Sequence, residues 1–277
     1  MSDLNVTKAA GALGAYVSGV DLADVVGSSE LQRTIRELAV THEVLFFRDQ
    51  ALDAPEFQAF AKTFGEVLDH PAYGTVADAP LVQILESTQA APSKIEAWHS
   101  DMTFSATPPS FTLLHGQIIP AYGGDTLWAS ATAAYDGLSG SMQKFLLGLS
   151  AVHDFRHGFA ESLAEAGGQE RLATSVAENP PVVHPLVRTH PETGRPGLYV
   201  NTLFTTRIAE LEDFESTRIL EFLYRHIVTD EFTVRLSWQP GTLAIWDNRS
   251  TQHKPVNDFF PQHRRMHRVT IKGDQPR

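Results

Sequence analysis

The chain has 277 residues, of which 42% are hydrophobic and 20% are charged, a composition typical of a folded protein rather than a disordered one. It contains no cysteine, which excludes disulfides, thiolate metal sites and a cysteine nucleophile and fits a reducing, cytoplasmic location. The formal net charge of -11 argues against general binding to nucleic acid or anionic membranes. The first residues lack the features of a signal peptide, and no apolar stretch reaches about 18 residues, so we expect neither export nor a membrane span.

The first 65 residues predict two capped helices with a short strand between them. Ser28 and Glu30 precede apolar residues at helical spacing, which predicts an amphipathic helix. This helix leads into the apolar run 44–47, a predicted strand. Asp53 and Glu56 have the spacing of a capping box and open a second helix. The apolar side of that helix consists of Phe57, Phe60, Ala61 and Phe64.

From about residue 80 the pattern turns largely to strands. They are predicted at residues 81–85, 110–119, 125–130, 198–200 and 265–271. Gly123-Gly124 marks the turn between the second and third of these strands. The alternation over 232–238, the Pro240-Gly241 turn and the run 242–246 together predict a β-hairpin.

Two further helices are predicted among the strands, at residues 132–149 and 214–227. The segment 153–181 is less regular and ends in Asn179-Pro180-Pro181, so we interpret it as an insertion and expect it to act as a lid. No repeat or linker divides the chain, and we expect residues 1–277 to form a single domain. The pattern predicts a mainly β fold with flanking helices, a double-stranded β-helix or jelly roll, whose mouth is a usual place for a ligand site.

A possible metal site is formed by His99-x-Asp101 and the distant His253. Residues two apart on a strand point to the same face, so His99 and Asp101 are expected to lie side by side. Two imidazoles and one carboxylate can bind one face of an octahedral ion and leave three positions open for a bidentate co-substrate and dioxygen. In a chain with 12 histidines, the His-x-Asp pair alone has a clear false-positive risk.

The basic segment 263–268 reverses the sign of charge in an otherwise acidic chain. On a strand, Arg264 and Arg268 would share one face, and two inward arginines would need anions beside them. Arg264 is suited to hold the far carboxylate of a co-substrate in a bidentate ion pair. A solvated basic strand edge is the alternative interpretation.

Two functions of other classes compete with an oxygenase. A zinc hydrolase also uses two histidines and a carboxylate, although it does not account for the arginines, and no His-Glu-x-x-His motif is present. A non-catalytic jelly-roll binding module would not need the complete ligand set. A hydrogen-bonded histidine pair beside an unrelated acid is the structural alternative for His99, Asp101 and His253.

Five segments carry a more specific signal, in the order Trp98–Phe104, Gly123–Trp128, Phe204–Ile208, Trp246–His253 and Gln262–Arg268. Together they resemble the taurine dioxygenase branch of the iron(II)/2-oxoglutarate-dependent dioxygenases. The similarity extends in the expected order from Gly14 to Asp274, nearly the whole chain.

The resemblance implies that His99, Asp101 and His253 bind iron(II), and that Thr126 and Arg264 hold the distal carboxylate of 2-oxoglutarate. The matching positions around the primary substrate are His70, Tyr73, Phe159, Phe204 and Arg268. It also implies the jelly-roll fold, dioxygen as a second co-substrate, and a homo-oligomer (dimer or tetramer).

The implied reaction hydroxylates a small organosulfonate such as taurine at the carbon next to sulfur. Its products are sulfite, an aldehyde, succinate and CO2. An alkyl sulfate ester dioxygenase that releases sulfate is the alternative within the same class. Ile95 occupies the position where the taurine-specific pattern has an asparagine for the amine, which argues against recognition of an amine.

Overall fold

The computed structural model describes residues 4–68 and 74–277, and within these ranges strands alternate with short and medium-length helices. The strands are β1 (Asn5–Lys8), β2 (Ala15–Ser18), β3 (Val44–Phe47), β4 (Thr75–Val76), β5 (Ala79–Ser87), β6 (Phe111–Ile118), β7 (Thr126–Ser130), β8 (Ser150–His153), β9 (Val182–Pro185), β10 (Val187–Thr189), β11 (Pro196–Leu198), β12 (Thr205–Ile208), β13 (Thr233–Leu236), β14 (Leu243–Asp247), β15 (Thr251–Pro255) and β16 (Arg264–Thr270). The α-helices are α1 (Leu22–Val25), α2 (Ser29–His42), α3 (Ala54–Lys62), α4 (Ala131–Asp136), α5 (Gly140–Leu146), α6 (Phe155–Gly158), α7 (Ala160–Ala164), α8 (Gly168–Arg171), α9 (Ala173–Glu178) and α10 (Asp213–Ile227).

The N-terminal helices begin where their capping residues predict. The Ser28 side chain accepts a hydrogen bond from the backbone N–H of Leu31 at the start of α2. Asp53 and Glu56 form the reciprocal capping box that opens α3. Both predicted helices are therefore confirmed, because their signals are local to the chain.

The main sheet has eight strands in the order β1-β2-β3-β14-β6-β16-β5-β4. Its neighbours pair antiparallel, except that β2 and β3 are parallel. At β3 the sheet is buried on both faces. Leu45 and Phe47 pack toward α1–α3, whereas Val44 and Phe46 pack on the opposite side. The alternation follows from the two-residue period of a strand.

A second sheet of three strands, β13-β7-β15, covers that opposite face. The core between the sheets includes Phe46, Trp128 and Trp246, with ring centroids of Phe46 and Trp128 5.3 Å apart and those of the two tryptophans 5.7 Å apart. Two packed sheets with helices against the outer face form the jelly roll that the sequence predicts.

A smaller group of elements packs against the second sheet. Helices α4 and α10 and the three-stranded sheet β12-β8-β9 share a core that includes Leu198, Leu220 and Leu223. The predicted insertion lies between β8 and β9 and consists of the four short helices α6–α9.

Two predictions about local structure are wrong. Strands β13 and β14 do not form a hairpin, because β13 pairs with β7 in the second sheet and β14 pairs with β3 and β6 in the main sheet. The Pro240-Gly241 turn instead carries the chain from one sheet to the other. The single helix predicted over 132–149 is broken into α4 and α5, because Ser139 caps a new helix by accepting from the N–H of Met142.

The turn between the sheets predicts a specific cost at Gly241. Its φ of +72° lies in the left-handed region, and a Cβ there would come within 3.0 Å of the Gln50 carbonyl oxygen. Gly241→Ala should therefore lower the free energy of unfolding by about 1–2 kcal/mol, measured by urea denaturation.

Gly140→Ala is the matched control, since a Cβ at the start of α5 would meet nothing within 4 Å. That change should be neutral or stabilise the protein by up to about 1 kcal/mol. Equal effects of the two substitutions would contradict the assignment of strain to the turn.

Candidate active site

His99 and His253 are brought together by a pair of backbone hydrogen bonds. The N–H of His99 donates to the carbonyl of His253 at 3.0 Å, and the reverse bond measures 2.7 Å. His253 belongs to β15, whereas His99 forms only an isolated bridge, and Asp101 follows in a turn. The expected meeting of His99 and Asp101 is confirmed, but it depends on this turn rather than on a regular strand. Met102 in the turn has a φ of +48°, a conformation uncommon for a residue with a side chain.

The three side chains converge on one point. The Oδ1 atom of Asp101 lies 3.7 Å from Nε2 of His99 and 3.8 Å from Nε2 of His253. One ligand atom from each residue lies within 4.8 Å of the others, and all three residues are buried. In His99 the other ring nitrogen, Nδ1, lies 2.9 Å from the Ala97 carbonyl oxygen, an arrangement that directs the Nε2 lone pair toward Asp101.

The charge states at this cluster suit a cation. Burial, with a smaller contribution from the neighbouring His99, lowers the pKa of His253 to about 3. Burial also lowers the pKa of His99, partly offset by Asp101. For Asp101, burial acts to raise the pKa, but His253, Arg268 and His99 together with a Thr112 hydrogen bond hold it below its ordinary value. Two neutral imidazoles and one carboxylate therefore face each other at neutral pH, the state in which such groups bind a metal ion.

Arg264 and Thr126 lie in the same cavity as the two histidines. The cavity has a volume of about 620 Å³, and its lining includes Arg264, Thr126, His99 and His253. Among the described residues no hydrogen-bond partner is present for Nε of Arg264. Burial lowers the pKa of this guanidinium to about 10, with Asp125 acting in the opposite direction, so Arg264 remains charged at neutral pH.

Thr126 is oriented by a tryptophan. Its hydroxyl oxygen accepts a hydrogen bond of 3.0 Å from Nε1 of Trp238, and the guanidinium carbon of Arg264 lies 5.8 Å from the centre of a Trp238 ring. The hydroxyl hydrogen of Thr126 can therefore be donated into the cavity, toward the space that Arg264 also faces. The predicted pairing of these two residues in one cavity is observed.

Arg268 lies beside a smaller, largely apolar cavity. Its Nε donates to Oε1 of Gln83 at 2.9 Å, which holds the side chain on the inner face of β16. The cavity measures about 50 Å³ and is lined by Ile95, His99, Asp101, Met102, Phe104, Phe159, Phe204, Arg268 and Thr270. Ile95, His99, Phe159 and Arg268 also line the larger cavity, so the two spaces adjoin.

The apolar wall of this small cavity is a cluster of aromatic rings. Phe204 packs edge-on against Phe104, with ring centroids 5.0 Å apart, and stands 6.3 Å from the ring of His99. Phe159 stacks on Phe155 at 4.4 Å. Phe159 and Phe204 thus line a cavity together with His99 and Asp101, and their contact with a substrate stays a prediction, whereas His70 and Tyr73 lie outside the described residues.

Some lining residues were not identified from the sequence. Met102 and Phe104 belong to the segment Trp98–Phe104 and could have been found from their proximity to Asp101 in the sequence. Thr112, which donates to Oδ2 of Asp101 at 2.6 Å, is a buried polar residue in the apolar strand β6. A polar residue inside such a run is a signal that it has a buried partner.

The taurine catabolism dioxygenase TauD, TfdA family model matches residues 5–270. The chain belongs to this family. An alkylsulfatase of Acinetobacter baylyi is 36% identical over 98% of this chain and 86% of its own length. An alpha-ketoglutarate-dependent sulfate ester dioxygenase of Pseudomonas putida is 34% identical over 99% of this chain and 91% of its own length. A solved taurine dioxygenase of Burkholderia xenovorans is 36% identical, with a TM-score of 0.84 over 99% of this chain and 90% of the other.

Family membership decides between the competing classes. The chain is a 2-oxoglutarate-dependent dioxygenase with the jelly-roll fold, as the resemblance implies. The zinc hydrolase and the non-catalytic binding module are therefore not supported. In the described ranges, no helix is both long and apolar enough to cross a membrane.

The turn that carries Asp101 is supported by two buried histidines. Nδ1 of His153 lies 2.9 Å from the Thr103 hydroxyl, and Nε2 of His184 lies 2.9 Å from the Thr103 carbonyl oxygen. Burial lowers the pKa of His153 to about 3, and the adjacent His184 contributes in the same direction.

This burial predicts a pH dependence of stability. Between pH 6.5 and about 3 the unfolded chain binds a proton at residue 153 that the folded protein does not, so stability must fall as the pH falls through this window. Between pH 7 and pH 5 the contribution of His153 should reach about 2 kcal/mol. The measurement is urea denaturation of the metal-free protein at both pH values. His153→Asn should remove this part of the loss, whereas the exposed His157→Asn serves as control. The same loss in His153→Asn as in wild type would refute the assignment.

Proposed function

We propose that this protein uses iron(II), 2-oxoglutarate and dioxygen to hydroxylate short alkyl sulfate esters, with release of sulfate. The observation that carries the proposal is the small apolar cavity together with the larger one that it adjoins, a space lined by Arg268 and by the His99–Asp101–His253 cluster. It combines one cationic anchor, a wall of apolar side chains and a set of metal ligands. The relatives named as an alkylsulfatase and a sulfate ester dioxygenase support a sulfate head.

The ligand set fits iron(II). His99, Asp101 and His253 supply two imidazole nitrogens and one carboxylate oxygen, the combination that binds non-haem iron(II) on one face and leaves the other positions open. Bound iron would supply the activation of dioxygen on which the reaction depends. The aromatic wall beside the ligands keeps water away from this chemistry.

Arg264 and Thr126 would hold 2-oxoglutarate. The Arg264 guanidinium is buried and charged, and no hydrogen-bond acceptor lies beside its Nε among the described residues. Burying a charge in this way costs free energy, which a bound carboxylate would offset by accepting the hydrogen bond. The hydroxyl of Thr126 adds a second donor. In this arrangement the distal carboxylate would lie at Arg264, and the keto acid end would face His99 and His253, which line the same cavity.

Arg268 would hold the sulfate head, and the alkyl tail would lie against Ile95 and the phenylalanines. This places the carbon that carries the sulfate beside the metal ligands. His70 and Tyr73, the other residues that the family resemblance implies for the head group, stay predictions because they lie outside the described residues.

The reaction is balanced without a further reactant. One atom of dioxygen enters the carbon next to the sulfate oxygen as a hydroxyl group, and the other enters succinate as 2-oxoglutarate loses CO2. The hydroxylated carbon then expels sulfate: its carbon–oxygen bond to sulfate breaks, the hydroxyl loses its proton, and an aldehyde remains. No protein nucleophile is required.

Alkyl sulfonates are a second candidate, favoured by the 36% identity to the Burkholderia xenovorans taurine dioxygenase. The same steps would then release sulfite. Taurine itself is a poorer fit, because its ammonium group would lie against the apolar Ile95 without a hydrogen-bond partner.

The helical segment α6–α9 is proposed as the lid over this site. Phe159, between α6 and α7, lines both cavities. Glu165, between α7 and α8, forms an ion pair with Lys94, which also lines the larger cavity. A homo-oligomeric state and a cytoplasmic location are retained as proposals from the sequence.

The deciding experiment is a substrate panel of alkyl sulfates, alkyl sulfonates and taurine, with iron(II) and 2-oxoglutarate. Sulfate, sulfite and succinate are measured together. Sulfate release from alkyl sulfates that requires iron, oxygen and 2-oxoglutarate is expected, and Asp101→Ala should abolish it. Sulfate release without oxygen or 2-oxoglutarate would overturn the proposal.

Substitution of the two arginines should separate the two anions. Arg264→Ala should weaken the binding of 2-oxoglutarate, because losing a charge-assisted bidentate pair in a buried site costs about 2–5 kcal/mol. Arg268→Ala should mainly weaken the sulfate substrate. The measurements are the KM for 2-oxoglutarate and the KM for the sulfate ester. Binding of 2-oxoglutarate to the anaerobic iron(II) protein is followed by the charge-transfer band of the complex.

Arg264→Lys and Arg268→Lys are the matched controls, which keep the charge but lose the forked geometry. An Arg264→Ala protein that binds 2-oxoglutarate as wild type does would contradict the assignment of its distal carboxylate.

Ile95 should set the preference for an apolar tail. Each buried methylene of an alkyl chain gains roughly 0.8 kcal/mol, so butyl sulfonate should compete well with taurine, which carries the same head. Ile95→Asn should shift the kcat/KM ratio toward taurine, whereas Ile95→Val should leave it nearly unchanged. A wild-type ratio strongly in favour of taurine, unaltered by Ile95→Asn, would show that Ile95 does not contact the substrate.

A further inference from the structure

Asp101 is the end of a chain of buried hydrogen bonds that begins at a tryptophan. Nε1 of Trp246 donates to Oδ1 of Asn248 at 3.1 Å. Nδ2 of Asn248 donates to Oγ1 of Thr112 at 2.9 Å, and Thr112 donates to Oδ2 of Asp101 at 2.6 Å. The backbone N–H of Asp101 also donates to Oδ1 of Asn248, at 3.3 Å.

The direction of this chain is determined at its first member. An indole N–H can only donate, so the atom of Asn248 that faces Trp246 must be the carbonyl oxygen. The amide nitrogen of Asn248 then faces Thr112 and donates to it. Because the Thr112 oxygen accepts that bond, its own hydrogen is left for Asp101.

The chain is shielded from water. Thr112 is 0% exposed, Asn248 1% and Trp246 2%. Thr112 lies on the central strand β6, where Trp246 of β14 and Thr270 of β16 are its cross-strand neighbours. In such surroundings each hydrogen bond strongly fixes the orientation of its partner, because bulk water does not compete for the acceptor atom.

The consequence concerns which oxygen of Asp101 meets the metal. Oδ2 is occupied by Thr112, whereas Oδ1 is the oxygen nearest to both imidazole nitrogens. A carboxylate that chelated with both oxygens would occupy two coordination positions and leave only two for the co-substrate and dioxygen. The bond from Thr112 opposes that mode.

We infer that Thr112 is a positioning residue that keeps Asp101 a one-oxygen ligand and so preserves the third open coordination position. The inference rests on the proposed iron site, and it extends that proposal to residues with no direct contact with metal or substrate. Trp246 and Asn248 act through Thr112 by fixing which way its hydroxyl points.

The test compares Thr112→Val, which keeps the volume but removes the hydroxyl, with Thr112→Ser, which keeps the hydroxyl. The first measurement is the affinity for cobalt(II) alone, and the second is the affinity of the cobalt(II) protein for 2-oxoglutarate. Thr112→Val should lose about 10–100-fold in at least one of these, because residues that orient a metal ligand have effects of this size. Thr112→Ser should stay within about threefold of wild type by the same reasoning.

Thr242→Val is the matched control, since Thr242 is an equally buried threonine whose hydroxyl accepts from Arg48 and Gln239 instead. Should Thr112→Val fail to fold, Trp246→Phe, which removes the indole N–H together with the five-membered part of the ring, should weaken the same affinities in the same direction. Both affinities unchanged in the folded Thr112→Val protein, or equal losses in Thr112→Val and Thr112→Ser, would overturn the inference. Failure of wild type to bind cobalt(II) would instead count against the proposed iron site.

Discussion

The site depends on one backbone pairing, the two hydrogen bonds between His99 and His253. His253 is held on β15 of the second sheet, whereas the segment before His99 is a loop, so this pairing attaches the loop to the jelly roll. The turn that follows then presents Asp101 to both imidazoles. Residues 99–101 are not part of a longer strand, so this pairing and the side-chain hydrogen bonds of the turn together hold the Asp101 carboxylate beside the imidazoles.

The same turn is anchored from three directions by buried polar groups. Thr112 on the main sheet donates to Asp101, His153 contacts Thr103 from the small sheet, and the Ser100 hydroxyl donates to the Thr251 carbonyl at 2.6 Å. A turn with an unfavourable φ at its centre persists only when its surroundings determine it in this way. The candidate metal ligands and both sheets are thereby connected through a few residues.

Local signals in the sequence predicted local structure well. The caps at Ser28 and Asp53 identify helix starts because capping involves residues within one turn of each other. The Pro240-Gly241 turn was misjudged for the converse reason: a turn signal shows that the chain reverses, but whether the flanking strands pair depends on distant partners such as β7 and β3.

The site shows the same division. The candidate ligand residues and the two arginines carry chemical types that are recognisable in the sequence, so they could be proposed from it. The polar Thr112 in an apolar strand signals only that it has a buried partner. Neither that partner nor the hydrogen bond from Asn248 could be predicted, because both come from segments distant in the sequence. The resemblance to a family, which compares whole segments, supplied the part that residue chemistry alone left open between an oxygenase and a hydrolase.

Strand β16 sets the distance between the two proposed anion sites. Arg264 and Arg268 lie on the same face with Met266 between them, and Met266 is fully buried in the core between the sheets. Four residues of strand separate the two Cα atoms by about 13 Å. Two anions at that spacing would repel each other weakly, and each would have its own guanidinium. Both arginines line the larger cavity together with His99 and His253, so under the proposed function a co-substrate held at one end and a substrate held at the other would meet there. For the reacting carbon to stay in place, the distance between the two anions must stay constant. A strand that is paired on both sides holds the two arginines at a constant distance better than a loop would.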